Sequence, residues 1–232
     1  MSLLLLSLRR IVRSPWSWLA LAVATALALG SAWVQHRHHA PHGADHTLLN
    51  LYATVAVPLL TFGLVSAALE GGGLARSGRA VVWLGVSPVA AARTTLLVSC
   101  LVCGLLCGAL GAGVVAWAHG ASDPPLARDA LHTLGFGALG GASYAAYFGL
   151  GSAVGASGWG RWLLLAVDVV VGQENDLAAA LTPKAHLRNL LGGSSPFDLL
   201  PGESLVVLGV LAVTWVVFAT MVAGRSRTAR GM

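Results

Sequence analysis

The stretch Ser17-Trp-Leu-Ala-Leu-Ala-Val-Ala-Thr-Ala-Leu-Ala-Leu-Gly-Ser-Ala-Trp33-Val34 carries no charge over 18 residues. At 1.5 Å per residue a helix of this length reaches about 27 Å, close to the thickness of a bilayer's hydrocarbon core. Trp16, Trp18 and Trp33 sit at its ends, where amphipathic indole rings settle at headgroup level. Ala26 and Ala28 would also suit signal cleavage, but the stretch exceeds a usual signal core and reads as a retained span.

Working outward, further apolar runs occupy about 47–69, 94–118, 130–153, 159–175 and 204–224, divided by polar or Gly- and Pro-containing connections. The expectation is an all-α, polytopic membrane protein of six transmembrane helices forming one transmembrane domain over 1–232. The fifth run is the shortest, with only Trp162 to Gly172 before Gln173, Glu174, Asn175 and Asp176; it ends early or continues into re-entrant helices within 177–200. Composition agrees, with 56% hydrophobic and 10% charged residues and a mean hydropathy of +0.76. A soluble domain carries about a quarter charged residues.

Residues 2–13 place Leu3, Leu4, Leu5, Leu6, Leu8, Ile11 and Val12 beside Arg9, Arg10 and Arg13, which fits an amphipathic helix lying at the interface, ended by Pro15. Orientation follows from the basic residues. With the N-terminus inside, Arg9, Arg10, Arg13, Arg76, Arg79, Arg93, Arg161, Arg225, Arg227 and Arg230 fall on the inner side. Only Arg37, Arg128, Lys184 and Arg188 fall outside, which places both termini in the cytoplasm.

No GxxxxGK[ST] loop occurs, and the single lysine, Lys184, follows Thr182-Pro183, so the chain has no phosphate cradle for ATP hydrolysis of its own. The net charge of +5 is spread between apolar runs with no aromatic-interleaved basic stripe, which excludes a nucleic-acid partner.

The loop from Glu70 to Arg93 is the most informative connection. Residues 75–85 fit a short amphipathic helix, with Arg76 and Arg79 toward water and Val82, Trp83 and Leu84 free to pack, closed by Ser87-Pro88. It suits docking of a soluble partner or lying on lipid headgroups. The order Glu70, Gly78, Leu84, Ser87-Pro88 and Arg93 resembles the cytoplasmic coupling segment of permease subunits of type-2 ABC exporters. The six-span layout, the helix ending at Arg13-Ser14-Pro15, and Leu181-Thr182-Pro183-Lys184-Ala185-His186 are similar to that family too, whose members carry re-entrant helices between the fifth and sixth spans, here 176–203.

The resemblance implies a bacterial inner-membrane subunit that pairs as a homodimer or heterodimer and docks a separate ATPase. ATP and magnesium would be held by that ATPase, with no cofactor in this chain. It implies coupling roles for Glu70, Arg76, Gly78, Arg79, Trp83, Pro88 and Arg93, together with the 2–13 helix. The run Gly71-Gly72-Gly73 departs from the family pattern and would loosen the start of the coupling helix.

Other clusters carry alternatives. Cys100, Cys103 and Cys107 share one helical face, which reads as close packing among glycines or as a soft-metal path. His36, His38, His39, His42 and His46 crowd one loop, as a solvated segment or weak zinc or copper ligands. Asp168 is the one acid deep in a span, with Tyr147 at similar depth as its expected hydrogen-bond donor. Tyr52, Tyr147 and Asp168 are the candidates for a substrate path, and with Thr54, Tyr144 and Trp215 they would suit a lipid, peptide or amphipathic small molecule. Gly155-Ala156-Ser157-Gly158 matches the serine motif of rhomboid proteases, but 204–224 offers no histidine base. A membrane scaffold or channel-like subunit without energy coupling is the remaining alternative.

Overall fold

The computed structural model describes residues 3–38, 42–120, 123–171 and 179–228. Among them every regular element is helical. Helix α1 (Leu3–Arg13) precedes α2 (Pro15–Arg37), and Pro15 occupies the first turn of α2, where its missing N–H costs nothing. Helix α3 (Gly43–Thr47), a π-helical segment (Leu48–Ala56) and α4 (Val57–Ala68) form one continuous rod. Two single turns, α5 (Leu74–Ser77) and α6 (Arg79–Val82), lead to α7 (Pro88–Ala118), α8 (Leu126–Ala153), α9 (Gly160–Val171), α10 (Pro183–Leu190) and α11 (Pro201–Thr228).

Four helices are long and apolar enough to cross a membrane: Pro15–Arg37, Gly43–Ala68, Pro88–Ala118 and Pro201–Arg225. Each covers one of the runs expected to span. Helix α8 is 28 residues long and pairs with α7, whereas α9 has 12 residues. The reverse connections put Arg9, Arg10, Arg13, Arg76, Arg79, Arg93 and Arg161 at one end of the bundle, and the described histidines at the other.

The centre of the bundle is the α7–α8 contact, which glycines make close. A Cβ at Gly108 would lie 2.6 Å from the Leu134 carbonyl, and one at Gly141 2.6 Å from the Cys103 carbonyl and 2.8 Å from Cys107 Sγ. In lipid, where apolar side chains gain little by meeting each other, this backbone approach is what holds helices together. Cys103 and Cys107 are buried in it and all three cysteines are free thiols, so the packing reading describes their environment.

The π segment has a local cause. Pro58 lacks an N–H for the Thr54 carbonyl, and the Val57 N–H reaches back five residues to the Tyr52 carbonyl. The widened turn aims Tyr52 across the bundle, where its hydroxyl donates to the Cys107 carbonyl at 2.7 Å.

Candidate functional site

At the arginine-rich end, α1 is tied to the connection after α4. Arg10 Nε lies 2.9 Å from Glu70 Oε1, and Arg10 Nη1 donates to the Ser77 carbonyl at 2.9 Å. One side chain therefore joins α1 to both ends of the Glu70–Ser77 segment. Glu70 has φ +51°, a left-handed conformation rare for a residue with a Cβ, and turns its carboxylate back toward α1. One turn earlier on the same face of α1, the Ser7 and Thr95 hydroxyls meet at 3.4 Å.

The glycine run does the reverse of loosening this segment. Gly71, at φ +72°, makes the turn, and the Gly73 N–H donates to the Ala156 carbonyl at 3.0 Å. A Cβ on Gly73 would sit 2.5 Å from the Gly155 carbonyl, so only glycine permits the contact. Arg161 completes it by donating from Nη2 to the Gly71 carbonyl at 2.7 Å and from Nη1 to the Gly72 carbonyl at 3.1 Å. The α4–α5 and α8–α9 connections are thus sewn together, and Arg161 is the stitch.

Beyond this anchor the loop presents a different face. Gly78 interrupts the helix expected over 75–85, leaving the two turns α5 and α6 in its place. Trp83 and Leu84 do not pack: they are 89% and 83% exposed, beside exposed Arg76 and Arg79. Ser87 caps α7 by accepting from the Ala90 N–H at 3.1 Å, with Pro88 at the first helical position. Arg9, Arg13 and Arg93 are exposed at the same end of the bundle.

A second polar cluster is buried among α8, α9 and α10. Asp168 takes its hydrogen bonds from Tyr144, not Tyr147, at 2.9 and 3.1 Å. The two tyrosines share a face one turn apart; Tyr147 instead donates to the Leu164 carbonyl at 3.2 Å and packs its ring against Trp215, tilted at 58° with centroids 5.1 Å apart. Lys184 Nζ donates to the Asp168 carbonyl at 3.2 Å and is itself buried, which joins α10 to α9. His186 bridges the Ala180 carbonyl and the Ser204 hydroxyl, and Asn189 Nδ2 reaches Ser204 and the Leu199 carbonyl. Asp168, the one acid deep in an apolar run, and the lone lysine were the sequence signals for this cluster.

Among the described residues no group of three His, Cys, Asp or Glu side chains gathers around one point. His46 Nδ1 pairs with Gln35 Nε2 at 3.2 Å, His42 lies 3.8 Å from both Asp45 and Asp123, and His36 and His38 end α2. His39 lies outside the described residues, as do Glu174 and Asp176. Tyr52 is enclosed between α7 and α8, while Ser157 is exposed in the α8–α9 connection, at the opposite end from the described histidines.

No family model, curated protein or solved structure matches the chain.

Proposed function

We propose that the chain is the membrane permease subunit of an ATP-driven exporter of the type-2 ABC class. In this reading α8 and α9 join the four long apolar helices as spans, making six. Helix α10 and its neighbours form a re-entrant layer on the outer side. The chain sits in a bacterial inner membrane with both termini cytoplasmic, and two copies, or two related chains, make the pore.

The observation that carries this reading is the asymmetry of the 70–93 connection. Its backbone from Glu70 to Ser77 is fixed to α1 by Arg10 and to the α8–α9 connection by Arg161, while the side chains of Arg76, Arg79, Trp83 and Leu84 are offered to solvent. An aromatic and basic prominence on a rigid base is what a soluble ATPase needs to push on a membrane bundle. A displacement of the prominence is passed through Glu70 and Arg10 to α1 and through Gly71 and Gly72 to α9. Asp168, with Tyr144 and Lys184, then lies on the helix that moves.

Replacing Arg79 by Glu or Trp83 by Ala removes a docking contact and leaves the anchors intact. The expected outcome is loss of a co-purifying ATPase with unchanged thermal unfolding. Retention of the ATPase by both variants would contradict the docking role, and a chain that never captures an ATPase would favour a scaffold or channel-like subunit.

A further inference from the structure

We infer that the groove between α2, α4 and α9 is a binding site for one anionic lipid, its headgroup at Arg161 and one acyl chain along the groove. The cavity has a volume of about 490 Å³, enough for a long acyl chain. Its walls are Trp16, Leu19, Val23, Leu59, Phe62 and Trp162, and its arginine-rich end is closed by Ser14, Glu70 and Arg161. From Ser14 to Val23 the groove follows nine helical steps, about 14 Å at 1.5 Å per residue. It is apolar along its length and polar at one end only, the pattern of a lipid and not of a solvated metabolite.

The polar end is where the protein leaves needs unmet. Arg161 is 4% exposed, and its Nε has no hydrogen-bond partner. Its other nitrogens go to neutral carbonyls, so among the described residues no carboxylate balances its charge. A buried cation without a counter-ion is costly, and an anion at the groove mouth offsets that cost. Ser66 Oγ, also on the groove wall, is a second buried atom without a partner. Glu70 does not supply the missing anion, because its carboxylate is held by Arg10. Arg9, Arg10 and Arg13 surround the adjoining surface at Ser14 and Glu70 and make the mouth net positive. A phosphate headgroup without an ammonium fits that field; a choline headgroup brings a repelled cation. The inference stands independently of ATPase docking.

The test is native mass spectrometry of the full chain in neutral detergent, titrated with phosphatidylglycerol, with phosphatidylcholine, or with inorganic phosphate alone. The expected result is one retained phosphatidylglycerol per chain, favoured about tenfold over phosphatidylcholine. Arg161→Gln abolishes that preference, while Arg128→Gln, an exposed arginine at the other end of the bundle, leaves it unchanged. Because Arg161 also holds the Gly71 and Gly72 carbonyls, Ser66→Phe provides an independent variant that fills the groove and spares those bonds; it loses the lipid. Equal retention of the two lipids, or a preference surviving Ser66→Phe, overturns the site. Displacement of the lipid by inorganic phosphate at equal concentration overturns the lipid assignment in favour of a simple anion site.

Discussion

Arg10 and Glu70, sixty positions apart, form an ion pair of 2.9 Å that joins the first helix to the connection after α4. The pair alone is weak, because the Glu70 side chain is 62% exposed and solvent screens it. Its strength comes from the second bond of the same guanidinium to the Ser77 carbonyl.

That difference is measurable. Glu70→Gln leaves the Ser77 bond in place and is expected to cost under about 0.5 kcal/mol. Arg10→Met removes both contacts and is expected to cost about 1–2 kcal/mol. Thermal unfolding in a mild detergent orders the variants, and equal effects would show that the Ser77 bond contributes nothing.

Gly73→Ala tests the join between the two connections. The added methyl meets the Gly155 carbonyl, a backbone atom that cannot rotate away, and the expected cost is about 1–3 kcal/mol. Gly30→Ala, where a Cβ meets nothing within 4 Å, is the control and leaves stability unchanged or slightly raised. Limited proteolysis should then cut the Gly73→Ala protein in the 71–78 or 154–159 connection before the wild type is cut.

Tyr144→Phe and Tyr147→Phe separate the two tyrosines. Tyr144→Phe removes the hydroxyl that serves Asp168 and should lower stability by about 1–2 kcal/mol, near the upper end for a bond inside a membrane bundle. Tyr147→Phe loses a single bond to a backbone carbonyl and should cost about half as much. The reverse order would return Asp168 to Tyr147.

The cysteines give a chemical check. Cys103 and Cys107 are sealed in the α7–α8 contact while Cys100 is half-buried, so a membrane-permeant maleimide should modify Cys100 first and the other two only on unfolding. A strong zinc and copper(I) chelator should leave the unfolding temperature unchanged; a fall of several degrees would assign the cysteines or histidines to a metal.

Much of the bundle was legible because its signals are local. An uncharged run of membrane length, Pro15 after Arg13 and Ser87-Pro88 before α7 each depend on neighbours within a turn. The positions at the arginine-rich end that gather into one anchor, Arg10, Glu70 and Gly71 to Gly73, were visible individually. Their joining was not, because the conformation of the glycine run is set by Arg161, ninety positions further on. Depth along a helix likewise could not choose between Tyr144 and Tyr147, since the choice depends on how α9 is rotated against α8. The π segment had a signal in Pro58, but which carbonyl its missing N–H would free for a wider turn is a matter of three-dimensional fit.

The most direct measurement of the central claim is purification of the tagged chain from its native membrane in gentle detergent, with assay of the eluate for a bound ATPase. The account predicts one ATPase per chain, lost on Arg79→Glu while the helical content and unfolding temperature stay as in the wild type. Elution of the chain alone, or with membrane partners only, would contradict the exporter reading.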